Sequence, residues 1–261
     1  MHYSYLVVEG PQDVEFIGRI LRTDAFHGVR LFDELESFWH PLIPRIFPHG
    51  GDLRKRVPLP VFFQSGEHSV AIHSVEGKDK LATSVEETVR LPGFRAVEIE
   101  VVGFFLDADF RLSVAETFAR FKGDLQQRGL RAPETPGVVS GTTPRTGMYI
   151  FPDNEHPGTL ENLLDTCADT VYPALREKAR QFTAGAAALP LMDEDRSEFL
   201  KPSGALKITV GCIANFLRPT RAIQVSIADN RWLCNECLAI PVIAKLQAFL
   251  KDLIGYRPSS A

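Results

Sequence analysis

The chain has 261 residues, 44% hydrophobic and 24% charged, with a formal net charge of -4. That balance suits a globular protein with a sizeable core and excludes a polycation that would coat nucleic acid by bulk charge. The absence of an apolar run of about 18 residues argues against a transmembrane helix, the first residues lack the basic and apolar regions of a secretory signal, and the four cysteines (Cys167, Cys212, Cys234 and Cys237) do not read as a disulfide framework, so the expectation is a cytoplasmic protein with no membrane contact.

Residues 4–9 read as a buried strand that Gly10-Pro11 stops, and Pro11 suits the first turn of a helix. Residues 12–25 then set Val14, Ile17, Ile20 and Leu21 on one face at helical spacing. Residues 26–66, broken by Pro41, Pro44, Pro48, Pro58, Pro60 and Gly50-Gly51, read as an irregular insertion. Val70–Val75 is a second core strand, followed by a helix near 79–90 with Leu81, Val85 and Val89 inward. Residues 95–106 form a long apolar strand whose lack of alternation predicts burial on both faces, as in a parallel sheet. A helix over 112–129, a turn-rich stretch from Ala132 to Arg145 and a fourth strand at 147–151 follow. From Thr159 to Leu253 the pattern is mainly helical, near 159–187, 194–216 and 235–254. Strand–helix alternation over the first 155 residues predicts an α/β fold with a central, mainly parallel, Rossmann-like sheet. The expected organisation is a core over 1–165, carrying the 26–66 insertion, and a helical extension over 166–261 packed on it.

Acids cluster where the strands end. Glu9 and Asp13 follow Tyr5–Val8, Asp107 and Asp109 follow Val101–Leu106, and Pro152-Asp153-Asn154 follows Met148–Phe151 and leads into Gly158-Thr159-Leu160-Glu161. Carboxylates at the carboxyl ends of neighbouring parallel strands converge on one crevice, where ligands bind in open α/β sheets. Oxygen-rich, sulfur-free sets suit Mg²⁺ or Mn²⁺. If the strand continues through them, Asp107 and Asp109 point to one side. Glu161 falls near the start of a helix capped by Thr159 or Gly158, where the dipole favours an acid. Any one of these acids also has an ordinary use as a helix cap or a polar strand end; three sets in series carry the argument.

Glu-Gly-x-x-Asp after the first strand and Asp-x-Asp after a later one resemble the Toprim domain of topoisomerases, primases and OLD-family nucleases. The Pro-Asp-Asn and Gly-x-Leu-Glu patterns that follow resemble an uncharacterised Toprim-like family related to those nucleases, over roughly residues 1–165. That resemblance implies Glu9 as a metal ligand or general base, Asp107 and Asp109 as Mg²⁺ ligands, Glu161 as part of a second metal position and Asp13 as a direct or supporting ligand. It also implies a lysine beside the phosphate, for which Lys78, Lys80 and Lys207 are candidates, with Lys78 foremost. The implied activity is two-metal hydrolysis of nucleic-acid phosphodiesters, with DNA ahead of RNA as substrate. Implied partners are a separate ATPase chain and a second copy in a homodimer. The alternatives are a nucleotidyl or phosphoryl transferase on the same acids, or a non-catalytic module that binds nucleotide or protein.

The remaining motifs read as structural. Arg54-Lys55-Arg56 and the Arg218/Arg221 pair around Pro219 read as solvated charge. Cys234-Asn235-Glu236-Cys237 lacks the second pair that structural zinc needs and reads as a thiol pair. The sequence contains neither a Walker loop nor a Gly-x-Gly-x-x-Gly, so it gives no sign of ATP hydrolysis by this chain.

Overall fold

A computed structural model describes residues 1–45, 51, 53, 59–75 and 77–256. Arg54-Lys55-Arg56 lies outside the described residues. Six strands among the described residues form one sheet: β1 (His2–Val8), β2 (His27–Val29), β3 (Val61–Ser65), β4 (His68–Ser74), β5 (Ile99–Asp107) and β6 (Arg145–Phe151). Their order is β2-β3-β4-β1-β5-β6. Strands β4, β1, β5 and β6 pair in parallel, and β3 is antiparallel to both β4 and β2. The fold is a mixed α/β sheet of Rossmann-like type, flanked by helices.

The helices are α1 (Pro11–Thr23), α2 (Leu81–Val89), α3 (Val114–Gln127), α4 (Leu160–Val171), α5 (Pro173–Ala187), α6 (Asp193–Arg196), α7 (Gly204–Leu217), α8 (Ile223–Asp229), α9 (Asn235–Leu238) and α10 (Pro241–Ile254). Side chains alternate across the strands and so feed two cores. Leu6, Val8, Phe105, Tyr149 and Phe151 meet α1, α4, α7, α8 and α10 on one face. Tyr5, Val7, Phe104, Leu106, Met148 and Ile150 meet α2, α3 and the 3-10 turn at Ser37–Leu42 on the other. Both faces of the central strands are therefore covered, which is why their sequences run almost continuously apolar. Gly103 and Gly147 are register partners in β5 and β6. A Cβ at either would come within 2.8 Å of a Leu253 methyl, so their bareness lets α10 lie close on the sheet.

The 26–66 insertion differs from its reading as wholly irregular. His27–Val29 and Val61–Ser65 are strands that extend the sheet at one edge. Phe62 and Phe63 alternate between the two cores there. The prolines lie between the strands and hid them.

Candidate active site at the strand ends

The strand order reverses at β1, since the chain passes first to β4 on one side and later to β5 on the other. Such a switch point leaves a crevice beyond the carboxyl ends of the strands. Val8 lies in register with both Ser74 and Phe105, so these ends are level. Glu9, directly after β1, accepts a hydrogen bond on Oε1 from the Asp107 N–H at 2.7 Å. Asp13, in the first turn of α1, accepts from the Gly10 N–H at 2.7 Å. Asp107 closes β5 and accepts on Oδ1 from the Leu160 N–H at 2.9 Å, at the start of α4. Glu161 is the next residue and is only 6% exposed; Asp13 is 7% exposed. The structure thus gathers Glu9, Asp13, Asp107 and Glu161 around one crevice.

Asp109 departs from the sequence expectation. The strand stops at Asp107, and Asp109 turns through the left-handed region at φ 59°, a conformation that Asp tolerates better than most residues. Its N–H donates to the Gly158 carbonyl at 2.9 Å, and its carboxylate pairs with the Lys78 ammonium. Asp107 and Asp109 therefore do not share a side in the way a continued strand would give. Asp153, from the third acid set, is a turn residue. It accepts from the backbone N–H of Glu155 and His156 at 2.9 and 2.8 Å and contacts the His156 ring at 2.8 Å.

The electrostatics of Glu9, Asp13 and Asp107 are unusual. Burial pushes the Glu9 carboxyl up to about 7, against the Asp107 amide and the charge of Lys78. Burial first, then the Glu9 charge, pushes Asp13 up to about 8. Asp107 is held well above the usual carboxylate range by burial, then by Asp13, Glu9 and Glu161. The Lys207 charge, from α7, eases the ionisation of both Glu9 and Asp13. Of the three candidate lysines, Lys78 and Lys207 thus act on the crevice, while Lys80 is exposed in the turn after Lys78. Arg218 is occupied with Asp229 at 3.1 Å.

Two neighbours escaped the sequence reading. The Thr159 hydroxyl, noted only as a helix cap, is fully buried and finds no hydrogen-bond partner among the described residues. Asn162 instead caps the helix start, its Oδ1 accepting from the Thr159 N–H at 2.9 Å. Beside Lys78 a cleft of about 630 Å³ runs along α3 and is lined by Arg120 and Arg128. Arg128 is tied to Glu86 and Asp124, whereas Arg120 makes no ion pair among the described residues. No short spacing in the sequence links α3 to the acids, so nothing local signalled this cleft. A second cleft of about 700 Å³, lined by His40 and Thr88, includes none of the four acids.

Among the described residues, no three His, Cys, Asp or Glu side chains stand in a group that could hold a metal ion as they are placed. Glu9, Asp13 and Asp107 each turn one oxygen onto a backbone N–H. The donor set nevertheless fits a hard divalent cation in chemistry, being all oxygen. It fits in charge too, because the mutual repulsion of Asp13 and Asp107 with their acidic neighbours calls for a cation or for protons. Capture of a cation would require side-chain rotation from the present rotamers.

Among solved structures, the chain is similar to the crystal structure of hypothetical protein PH0156 from Pyrococcus horikoshii OT3, with a TM-score of 0.50 and 18% sequence identity over 97% of this chain and 95% of that one. At that identity the likeness speaks to the fold. No curated protein matches the chain. The family model described as "Protein of unknown function (DUF3226)" matches residues 3–202, and the chain belongs to that family.

Proposed function

We propose that the crevice hydrolyses phosphodiester bonds of nucleic acid, DNA ahead of RNA, with bound Mg²⁺ or Mn²⁺. One observation carries this reading: four carboxylates meet beyond the ends of parallel strands, three of them held above their ordinary range first by burial and then by neighbouring acids, Asp109 in the case of Glu9. Perturbed acids in a crevice mark functional sites more often than structural ones. The resemblance of Glu9, Asp13, Asp107, Asp109 and Glu161 to the Toprim and OLD-type pattern points the same way. Glu9, Asp13, Asp107 and Glu161 would hold the cation. A cation there would supply a lowered pKa for the attacking water and charge to stabilise the leaving oxygen. Lys78 and Lys207 bring positive charge to the rim, and Asp109 orients Lys78 through their ion pair. The Arg120 cleft extends that rim for a polymer backbone.

The test is cleavage of supercoiled plasmid, linear DNA and RNA with Mg²⁺, Mn²⁺ or a chelator, beside Asp107→Asn. Cation-dependent cleavage that the variant loses supports the proposal; equal cleavage by both proteins removes Asp107 from the mechanism. A second reading, a non-catalytic module, draws on the oxygens already committed to backbone amides. Calorimetry that finds no Mg²⁺ or Mn²⁺ binding at pH 8 would favour it. Binding without cleavage would direct the search to a partner ATPase.

A further inference from the structure

The motif left unused by the acid crevice is Cys234-Asn235-Glu236-Cys237. All four cysteines of the chain are free thiols. Three of them meet in the helical layer. Cys237, on α9, is fully buried, and its sulfur stands 3.8 Å from the Cys167 carbonyl oxygen of α4. Cys234 precedes α9 in an extended conformation, φ -87° and ψ 176°, and is only half-buried. The Cys234 thiol donates to the Cys237 sulfur at 3.6 Å. Cys212 lies on α7, with no hydrogen bond to this cluster among the described residues.

Sequence spacing explains the meeting. Cys234 is the cap of α9 and Cys237 its third residue, and those two positions face one another across a helix start, as in a capping box. A disulfide has an S–S bond of about 2.05 Å and needs Cβ atoms about 3.5–4.5 Å apart. Sulfurs already at 3.6 Å can close that gap by side-chain rotation, with the half-buried residue doing the moving. Soft-metal binding is the other use of such a motif, but the described residues offer no group of three that could hold an ion.

We propose that Cys234 and Cys237 are a redox-active dithiol that a hydroperoxide converts reversibly to an intramolecular disulfide. This inference is independent of the phosphodiesterase reading. Cys234 is the entry sulfur, because the other two are sealed from solvent. Its thiolate attacks one peroxide oxygen. The S–O bond forms, the O–O bond breaks, and the departing oxygen takes a proton to leave as an alcohol, or as water from hydrogen peroxide. Cys234 is thereby oxidised to a sulfenic acid and the peroxide is reduced. Cys237 then attacks the Cys234 sulfur. The S–S bond forms, the S–O bond breaks, and hydroxide leaves with a proton as water. In sum, two thiols and one hydroperoxide give one disulfide, one alcohol and one water. Cys237 suits the second step: a hydrogen bond from the Cys167 thiol, chiefly, holds its own thiol down to about 6 despite burial. Burial pushes the Cys234 thiol up, so the first step should accelerate as pH rises through its titration.

The experiment treats the native protein with hydrogen peroxide, unfolds it in N-ethylmaleimide, digests it and weighs the fragments. The expected result is a fragment spanning 234–237 that is lighter by two hydrogen atoms and unalkylated, with Cys167 and Cys212 alkylated, and full alkylation after dithiothreitol. In Cys237→Ser the reaction should stop at a Cys234 sulfenic acid that dimedone traps. Four alkylated cysteines after peroxide, a bridge to Cys167, or a bridge between two chains would each overturn the proposal. Mapping of the wild-type chain decides the matter alone, should the buried Cys237 substitution fail to fold.

Discussion

Helix α4 carries two buried acids one turn apart, Glu161 and Asp165, and the two ends of that turn are treated in opposite ways. Asp165 is gripped by Arg176 through two hydrogen bonds of 2.7 Å and by Arg180 at 2.8 Å. Glu161 belongs instead to the crevice of Glu9, Asp13 and Asp107, where none of the four acids has an ion-pair partner among the described residues. Burial of an unpaired carboxylate costs several kcal/mol unless it takes up a proton or a cation. The fold therefore neutralises a buried acid with arginine where the helices only need to pack, and withholds arginine at the strand ends. That difference separates a structural charge from one kept available for chemistry.

The sharpest way to break the contrast is Asp107→Asn. Its Oδ1 can still accept from the Leu160 N–H, so the fold should stand while cation-dependent cleavage falls by on the order of 10³-fold, about 4 kcal/mol of transition-state stabilisation. A cleavage rate within a factor of two of wild type would place the chemistry elsewhere. Next in size is Asp165→Asn, which leaves Arg180 facing a neutral group and Arg176 with Asp169 as its remaining carboxylate. Loss of one partner from a buried pair costs about 3 kcal/mol, read as a lower urea midpoint with cleavage unchanged per folded molecule. Asp107→Asn without cation, at a pH high enough to ionise the crevice, should move the midpoint the other way, because it removes an unpaired buried charge. Equal destabilisation by the two substitutions would erase the distinction between the sites.

The pH dependence follows from the same acids. Folding raises Glu9 from 4.5 to about 7 and Asp13 from 3.8 to about 8. The folded protein thus holds protons that the unfolded chain has already released. Stability from these groups is full below about pH 4 and is lost as pH rises through about 7 to 8. In chelator, the melting temperature should fall between pH 5 and pH 8.5. Added Mg²⁺ should restore it at pH 8.5 and do little at pH 5, where protons hold the site. A flat profile, or equal cation effects at both pH values, would contradict the unpaired crevice.

Much of this was legible in the chain, for physical reasons. Tyr5–Val8, Val101–Leu106 and Met148–Phe151 are apolar on both faces because both sheet faces are covered, and Pro11 marked the first turn of α1. Acids directly after such runs had to lie at strand ends. Other features depended on long-range pairing. Val61–Ser65 is a strand only because β4 lies beside it, and nothing in its proline-rich approach says so. Asp109 reverses direction because its N–H meets Gly158, almost fifty residues later. Asp153 looked like its fellow acids until its turn contacts with Glu155 and His156 were in view. The choice among the lysines was likewise not local, since Lys207 reaches the crevice from a helix beyond the acid motifs.

Lys207 supplies the smallest effect and the finest division of the comparison. It is exposed, yet its charge eases the ionisation of both Glu9 and Asp13, whereas Lys78 is already engaged by Asp109. A rim lysine of this kind contacts a phosphate and releases a counterion, while an arginine that closes a buried pair does neither. Lys207→Gln should therefore weaken nucleic-acid binding several-fold, reduce the slope of log affinity against log salt by about 1, and leave the unfolding free energy within about 0.5 kcal/mol. Arg180→Gln, on the structural pair, should lower the midpoint and leave the salt slope alone. If Lys207→Gln changes only stability, its charge serves the acids and not the polymer; if it changes only the salt slope, the rim and the crevice work as separate parts.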